Sequence, residues 1–337
     1  METMKRFKRV LSCMLSLFLV YSTLILIRPI EVNASVNDTS GYELITEAKK
    51  HLGTQYVYGG QSPGGFDCSG FTMYVFSTQG IALNRTASTQ YSNNGYNVSR
   101  NDLTIGDLIF FSRTDSNDPG VSHVGIYIGY NHFIHSGNSG VQVSSLNQSY
   151  WGDRYYGAKR ILSSAITSIE ILMFDLDYYY YRYDDLKTAI GPNDYALFDH
   201  WLTLGIKEGR TPSAVFDPVY YMSANADVRN IYGSKNWVAA YQHFVFSGVN
   251  EGRASSPVYN GLYYKNYYTD LNKFTGLQAL SHYVKSGIYE GRRASSTFDP
   301  LIYKSNYSDL RALFGNDNKM YTHHYLKHGR SEGRIGI

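Results

Sequence analysis

Cysteine is almost missing from this chain. Of 337 residues two are cysteine, and Cys13 stands at the start of the apolar run of what reads as an export signal, which leaves Cys68 as the thiol of the exported protein. A single cysteine cannot form an internal disulfide, so Cys68 is either a small buried hydrophobe or a group that does chemistry. An excess of charge is missing too. The whole chain has 31 basic and 28 acidic residues; five basic and two acidic ones fall in residues 1–34, and the remainder balances at 26 of each. That balance gives no sign of a nucleic-acid partner, and none is expected. Zinc spacings such as His-Glu-x-x-His or Cys-x-x-Cys are absent as well, and neither a metal nor another cofactor is expected.

What is present divides the chain. Lys5, Arg6, Lys8 and Arg9, an apolar run over 10–27 and the small residues of Val32-Asn33-Ala34 predict a secretory signal over 1–34, cleaved after Ala34. The run has 18 residues and reaches the lower limit for spanning a bilayer, so an uncleaved anchor is the alternative. Residues 35–162 read as a helices-then-strands domain, 163–173 as a linker, and 174–337 as a repeat region.

In the first domain, Ser40 and Glu43 form a capping-box pattern, and Leu44, Ile45, Ala48, His51 and Leu52 recur at helical spacing until Gly53. A second helix is predicted from Cys68, with Asp67 as its N-cap, Phe71, Tyr74, Val75 and Thr78 on one face and Gly80 as its stop. Cys68 then lies in the first turn, where the helix dipole favours an anion. Beyond Gly95 the pattern turns extended. Residues 108–111 read as a buried strand, 121–130 as an alternating one, and 133–136 and 140–143 as two more. The fold class is α+β, with the cysteine helix packed on an antiparallel sheet.

A thiol nucleophile needs a base within hydrogen-bond reach and a polar group to orient that base. His123 opens the alternating strand, and a hairpin centred on Gly129 would set His135 directly across from it, whereas His132 falls in the turn. Asp115, Asn117 and Asp118 superficially suggest a calcium loop, but the downstream glutamate is missing and a solvated turn is expected.

Tyr56-Val57-Tyr58-Gly59-Gly60, Phe66-Asp67-Cys68-Ser69-Gly70, Leu83-Asn84-Arg85-Thr86, Gly106-Asp107-Leu108-Ile109-Phe110-Phe111, His123-Val124-Gly125-Ile126-Tyr127-Ile128-Gly129 and Phe133-Ile134-His135 together resemble, in order and spacing, the NlpC family of cell-wall cysteine peptidases. The resemblance covers residues 40–162. It implies a papain-like fold and an endopeptidase acting on peptidoglycan stem peptides, commonly at the γ-linked bond between D-glutamate and the diamino acid. It also implies Cys68 as nucleophile, His123 as base and His135 as its orienter, with Tyr56 beside the cysteine and Asp67, Ser69 and Arg85 lining the substrate groove. Tyr58 and Asn84 stand where the family often has tryptophan and proline, which removes no catalytic group. An amidase or acyltransferase on the same scaffold, or a surface adhesion protein without activity, are the other readings.

From Phe174 a repeat takes over. Glu-Gly-Arg recurs at Glu208, Glu251, Glu290 and Glu332, each eight positions after a histidine: His200, His243, His282 and His324. Each unit opens on an aromatic-Asp/Asn pair (Phe174-Asp175, Phe216-Asp217, Tyr259-Asn260, Phe298-Asp299) and carries Asp185, Asp227, Asp270 or Asp309 midway. Four units of about 40 residues predict a stacked all-α array. Its tyrosines either build small cores or stack on wall sugars, and the repeated histidine is expected to pack or cap rather than bind metal. The protein is expected to be secreted and wall-associated.

Overall fold

A computed structural model describes residues 39–114 and 119–337, with backbone alone at 164–167. The expected signal over 1–34 and the acidic turn at 115–118 lie outside the described residues.

The Ser40–Glu43 capping box forms as the sequence predicts and starts helix α1 (Gly41–Lys49). Strands β1 (Gln61–Ser62) and β2 (Gly65–Phe66) make a small hairpin leading into α2 (Cys68–Ser77), which Asp67 caps by accepting from the Gly70 amide. Helix α3 (Ala87–Asn93), started by a capping box at Thr86, was not anticipated. Six further strands follow: β3 (Tyr96–Val98), β4 (Leu108–Ser112), β5 (Val121–Gly129), β6 (His132–Gly137), β7 (Gly140–Ser145) and β8 (Tyr155–Arg160). They form one antiparallel sheet in the order β3-β8-β4-β5-β6-β7. Strand β4 is buried on both faces. Leu108 and Phe110 join the core shared with α1 and α2, while Ile109 and Phe111 join Tyr127, Phe133 and the partly buried Trp151 on the other side. Both-face burial explains its unbroken apolar run.

The stretch 163–173, expected as a linker, contains helix α5 (Ser164–Met173), the short α4 (Ser149–Gly152) lying before β8. Glu170 on α5 is wholly buried. It accepts from the Gly41 amide at 2.9 Å, the Tyr42 amide at 3.2 Å and the Tyr241 hydroxyl, and so joins the start of α1 to the second repeat. Gln242 donates to Glu43 at 2.7 Å, Lys49 pairs with Asp199, and His132 stacks on Tyr195 at 4.0 Å. One core runs through residues of both regions.

The repeat signature is consumed in packing. Asp175, Asp217, Asn260 and Asp299 each N-cap a seven-residue helix, and Phe174, Phe216, Tyr259 and Phe298 lie against Trp201, Phe244, Tyr283 and Tyr325, the residues just after the repeated histidines. Nδ1 of His200, His243, His282 and His324 meets the hydroxyl of Tyr179, Tyr221, Tyr264 or Tyr303 at 2.8–3.0 Å. Those hydroxyls sit where a Cβ on Gly205, Gly248, Gly287 or Gly329 would come within 2.1–2.5 Å, which is why a glycine recurs there. The Glu-Gly-Arg arginines reach back to Asp185, Asp227, Asp270 and Asp309 at 2.7–2.9 Å. A short strand pair, Ala254–Ser256 with Tyr259–Asn260, joins the second and third units. The fourth unit also returns to the first: Lys319 pairs with Asp175 at 2.8 Å, Arg182 donates to the Leu326 carbonyl at 2.9 Å, and His323 packs edge-on against Tyr178.

Candidate active site

The thiol is placed by local rules. Gly65 and Gly70 let the loop before α2 fold back on itself, since a Cβ on Gly70 would lie 2.0 Å from the Gly60 carbonyl oxygen. With Asp67 as cap, Cys68 begins the helix half-buried, its backbone N–H and the helix dipole both suited to an anion.

The two histidines meet, though not as a directly opposed pair. The β5–β6 turn is the two-residue Tyr130–Asn131 loop, both residues at positive φ (48° and 59°), as a hairpin of that length favours. It pairs Tyr127 with Phe133 and Ile126 with Ile134, with a bulge before Gly129. Continued, that register sets His135 opposite Gly125 and makes His123 its diagonal neighbour. The contact survives because Gly125 has no side chain to intervene: a Cβ there would stand 3.1 Å from that of His135. His123 Nε2 and His135 Nδ1 are 2.9 Å apart. His132, held by the Tyr130 carbonyl at 2.7 Å and stacked on the first repeat, takes no part.

His135 is fully buried. Burial pushes its pKa well below the ordinary histidine value, and the neighbouring His123 acts in the same direction, so His135 is neutral. Its Nε2 lies 3.0 Å from Ser144 Oγ. Trp151 covers both imidazoles, at 5.3 Å from His123 and 4.8 Å from His135. Cys68, His123, His135 and Tyr56 line one cavity of about 290 Å³, walled further by Ser122, Gln142 and Trp151.

Asp67, Ser69 and Arg85 form a separate network beside the thiol. Arg85 donates to both Asp67 oxygens and, at 3.0 Å, to Ser69 Oγ. Burial works to raise the Asp67 carboxyl, but Arg85 and the amides of Gly70 and Gly59 outweigh it and hold the pKa below its ordinary value. These three side chains are not among the residues walling the 290 Å³ cavity.

Residues 53–160 match the NlpC/P60 family. This segment is an NlpC/P60 domain. Over 118 residues the chain is 47% identical to the probable peptidoglycan endopeptidase LytE of Bacillus subtilis (strain 168), covering 35% of this chain and 34% of that protein. Over 134 residues it is 40% identical to the gamma-DL-glutamyl hydrolase of the same organism, covering 39% and 32%. The solved NlpC/p60 domain of the peptidoglycan hydrolase SagA is 33% identical, with 36% of this chain and 99% of that one covered, at a TM-score of 0.32. The chain spans between 22% and 36% of the length of the curated relatives it matches.

Sequence reasoning about the NlpC/P60 domain missed Ser144 and Trp151. Ser144 is one of several serines near a predicted strand, and only the β6–β7 register, which pairs Phe133 with Ser144 and His135 with Gln142, singles it out. Trp151 carried a weak signal, being one of three tryptophans in the chain.

Proposed function

We propose that this chain is a secreted, wall-associated peptidoglycan hydrolase, a cysteine endopeptidase that cuts stem peptides between γ-D-glutamate and the diamino acid. The observation that carries the reading is the hydrogen-bonded His123–His135 pair in one cavity with a cysteine at a helix start. The names borne by the relatives LytE and gamma-DL-glutamyl hydrolase point to the substrate.

In this mechanism the Cys68 thiolate attacks the scissile carbonyl carbon. The oxyanion is met by the Cys68 backbone N–H and the Tyr56 hydroxyl, donors of a kind worth about 3 kcal/mol each. His123, as imidazolium, gives its proton to the departing amine, then takes one from the water that frees the acyl group. His135 holds the His123 ring throughout, and Trp151 keeps bulk water off both rings.

Digestion of purified muropeptides, followed by mass spectrometry, tests this reading. Fragments ending in γ-D-glutamate are expected. Intact stems released from the glycan would make the protein an amidase, transferred stems an acyltransferase, and the absence of any product a non-catalytic wall protein.

The repeats are proposed to hold the enzyme on wall polysaccharide. Since the motif histidines meet tyrosine hydroxyls and the motif arginines pair with the repeat aspartates and glutamates, the exposed rings of Tyr267 and Tyr289, each 53% exposed, are the candidates for stacking on sugars. Tyr267→Ala combined with Tyr289→Ala is expected to reduce sedimentation of the full chain with purified walls. Undiminished sedimentation would remove these rings from wall binding.

A further inference from the structure

We propose that Ser144 is a positioning residue of this machinery: its hydroxyl accepts from His135 Nε2–H and so supports the tautomer whose Nδ1 accepts from His123. The inference rests on the thiol-hydrolase reading above and extends it to a side chain outside the Cys68–His123–His135 set.

The argument is one of proton counting. When His123 is an imidazolium, both its nitrogens carry protons, and the Nε2–H has His135 Nδ1 as its partner at 2.9 Å. That nitrogen must therefore present a lone pair. A neutral imidazole has one N–H, so the His135 proton resides on Nε2, and the partner found there is Ser144 Oγ at 3.0 Å. The ring is entirely buried, and the rings facing it belong to His123, Phe133 and Trp151. Ser144 reaches it diagonally from β7, the edge strand, two residues beyond Gln142. Without the hydroxyl, the Nε2–H is buried with no acceptor at that position, a state that favours moving the proton to Nδ1. An Nδ1–H would then confront the His123 Nε2–H across 2.9 Å. Neither can accept from the other, and the imidazolium that accompanies the Cys68 thiolate loses its support.

Ser144 is not among the residues lining the 290 Å³ cavity. Its influence should fall on turnover rather than on substrate affinity, which separates it from a substrate-binding serine.

The test compares Ser144→Ala and Ser144→Thr in the full chain. For the alanine variant we expect kcat on muropeptides to fall by about tenfold, by analogy with the loss of the outer hydrogen-bond partner of a metal-bound imidazole, with KM unchanged. The pH at which iodoacetamide alkylates Cys68 should move upward. Nitrogen-15 NMR of the imidazoles should show the Nε2–H form of His135 in the native chain and lose it in the alanine variant. Threonine, which keeps the hydroxyl, should restore all three. An alanine variant with native kcat, or one whose kcat falls while the alkylation profile and the His135 signature stay native, would overturn the proposal. Alkylation and NMR use no substrate, so a native protein that cleaves no muropeptide would overturn the hydrolase reading alone, with the tautomer still decided by the spectrum.

Discussion

Cys68→Ala is expected to lower kcat/KM on muropeptides by at least about ten-thousandfold, and His123→Ala by a similar amount. In the proposed mechanism nucleophile and base act as a unit, so removing either forfeits nearly the whole rate advantage beyond what binding and oxyanion stabilisation retain. Neither change should unfold the chain. Cys68 is half-buried at a helix start, and alanine is a good helix former. His135→Ala should be less severe by about a hundredfold, because an orienter contributes through the base it holds. Single-turnover assays on purified stem peptides, beside far-UV circular dichroism, give these values. Native cleavage by the Cys68→Ala protein would end the thiol mechanism.

Glu170→Ala should be the most damaging single change to stability outside the core hydrophobes. It strands the amides of Gly41 and Tyr42 and the Tyr241 hydroxyl, three donors that meet at one buried carboxyl, and a loss of about 4 kcal/mol at pH 5 is expected. The loss should depend on pH. Burial raises the Glu170 pKa from 4.5 to about 7 against the pull of its three donors. The folded chain therefore binds one more proton than the unfolded chain between these two values, so this carboxyl's contribution is full below pH 4.5 and is eroded as pH rises to about 7. The erosion is on the order of 3 kcal/mol. Denaturant unfolding of native and variant chains should give a difference that shrinks by that order between pH 5 and pH 7.5. A difference independent of pH would mean that Glu170 is ionised throughout.

The features legible in the sequence were those that short segments specify by themselves. The Ser40–Glu43 box, the Asp67 cap, the positive-φ stop at Gly80 and the apolar runs of β4 and β5 each carry their reason within a few residues. So do the repeats, because four copies of Tyr, His and Glu-Gly-Arg at fixed spacing must make the same local contacts. Features set by distant partners were not legible. Tyr155–Arg160 does not alternate, yet it pairs with β3 on one side and β4 on the other, and buried Arg160 is held there by Asp107 at 2.9 Å. The hairpin shifted because Tyr130 and Asn131, rather than Gly129, form its turn. Residues 163–173 read as a linker because nothing in Ser164-Ala165-Ile166-Thr167-Ser168-Ile169-Glu170 announces that its carboxylate will be claimed from both sides.

The return of the fourth repeat to the first has a consequence for how this region can change. An open stack tolerates gain or loss of a unit, since each copy needs only its neighbours. Here Lys319 requires Asp175, Lys327 reaches the Tyr181 carbonyl and Asp184, and Arg182 requires the Leu326 carbonyl. Those partners are brought together by traversing four units. Closing on its own start ties this array to its copy number: excising one unit, or inserting a fifth, is expected to cost it these contacts, which an open stack would not lose.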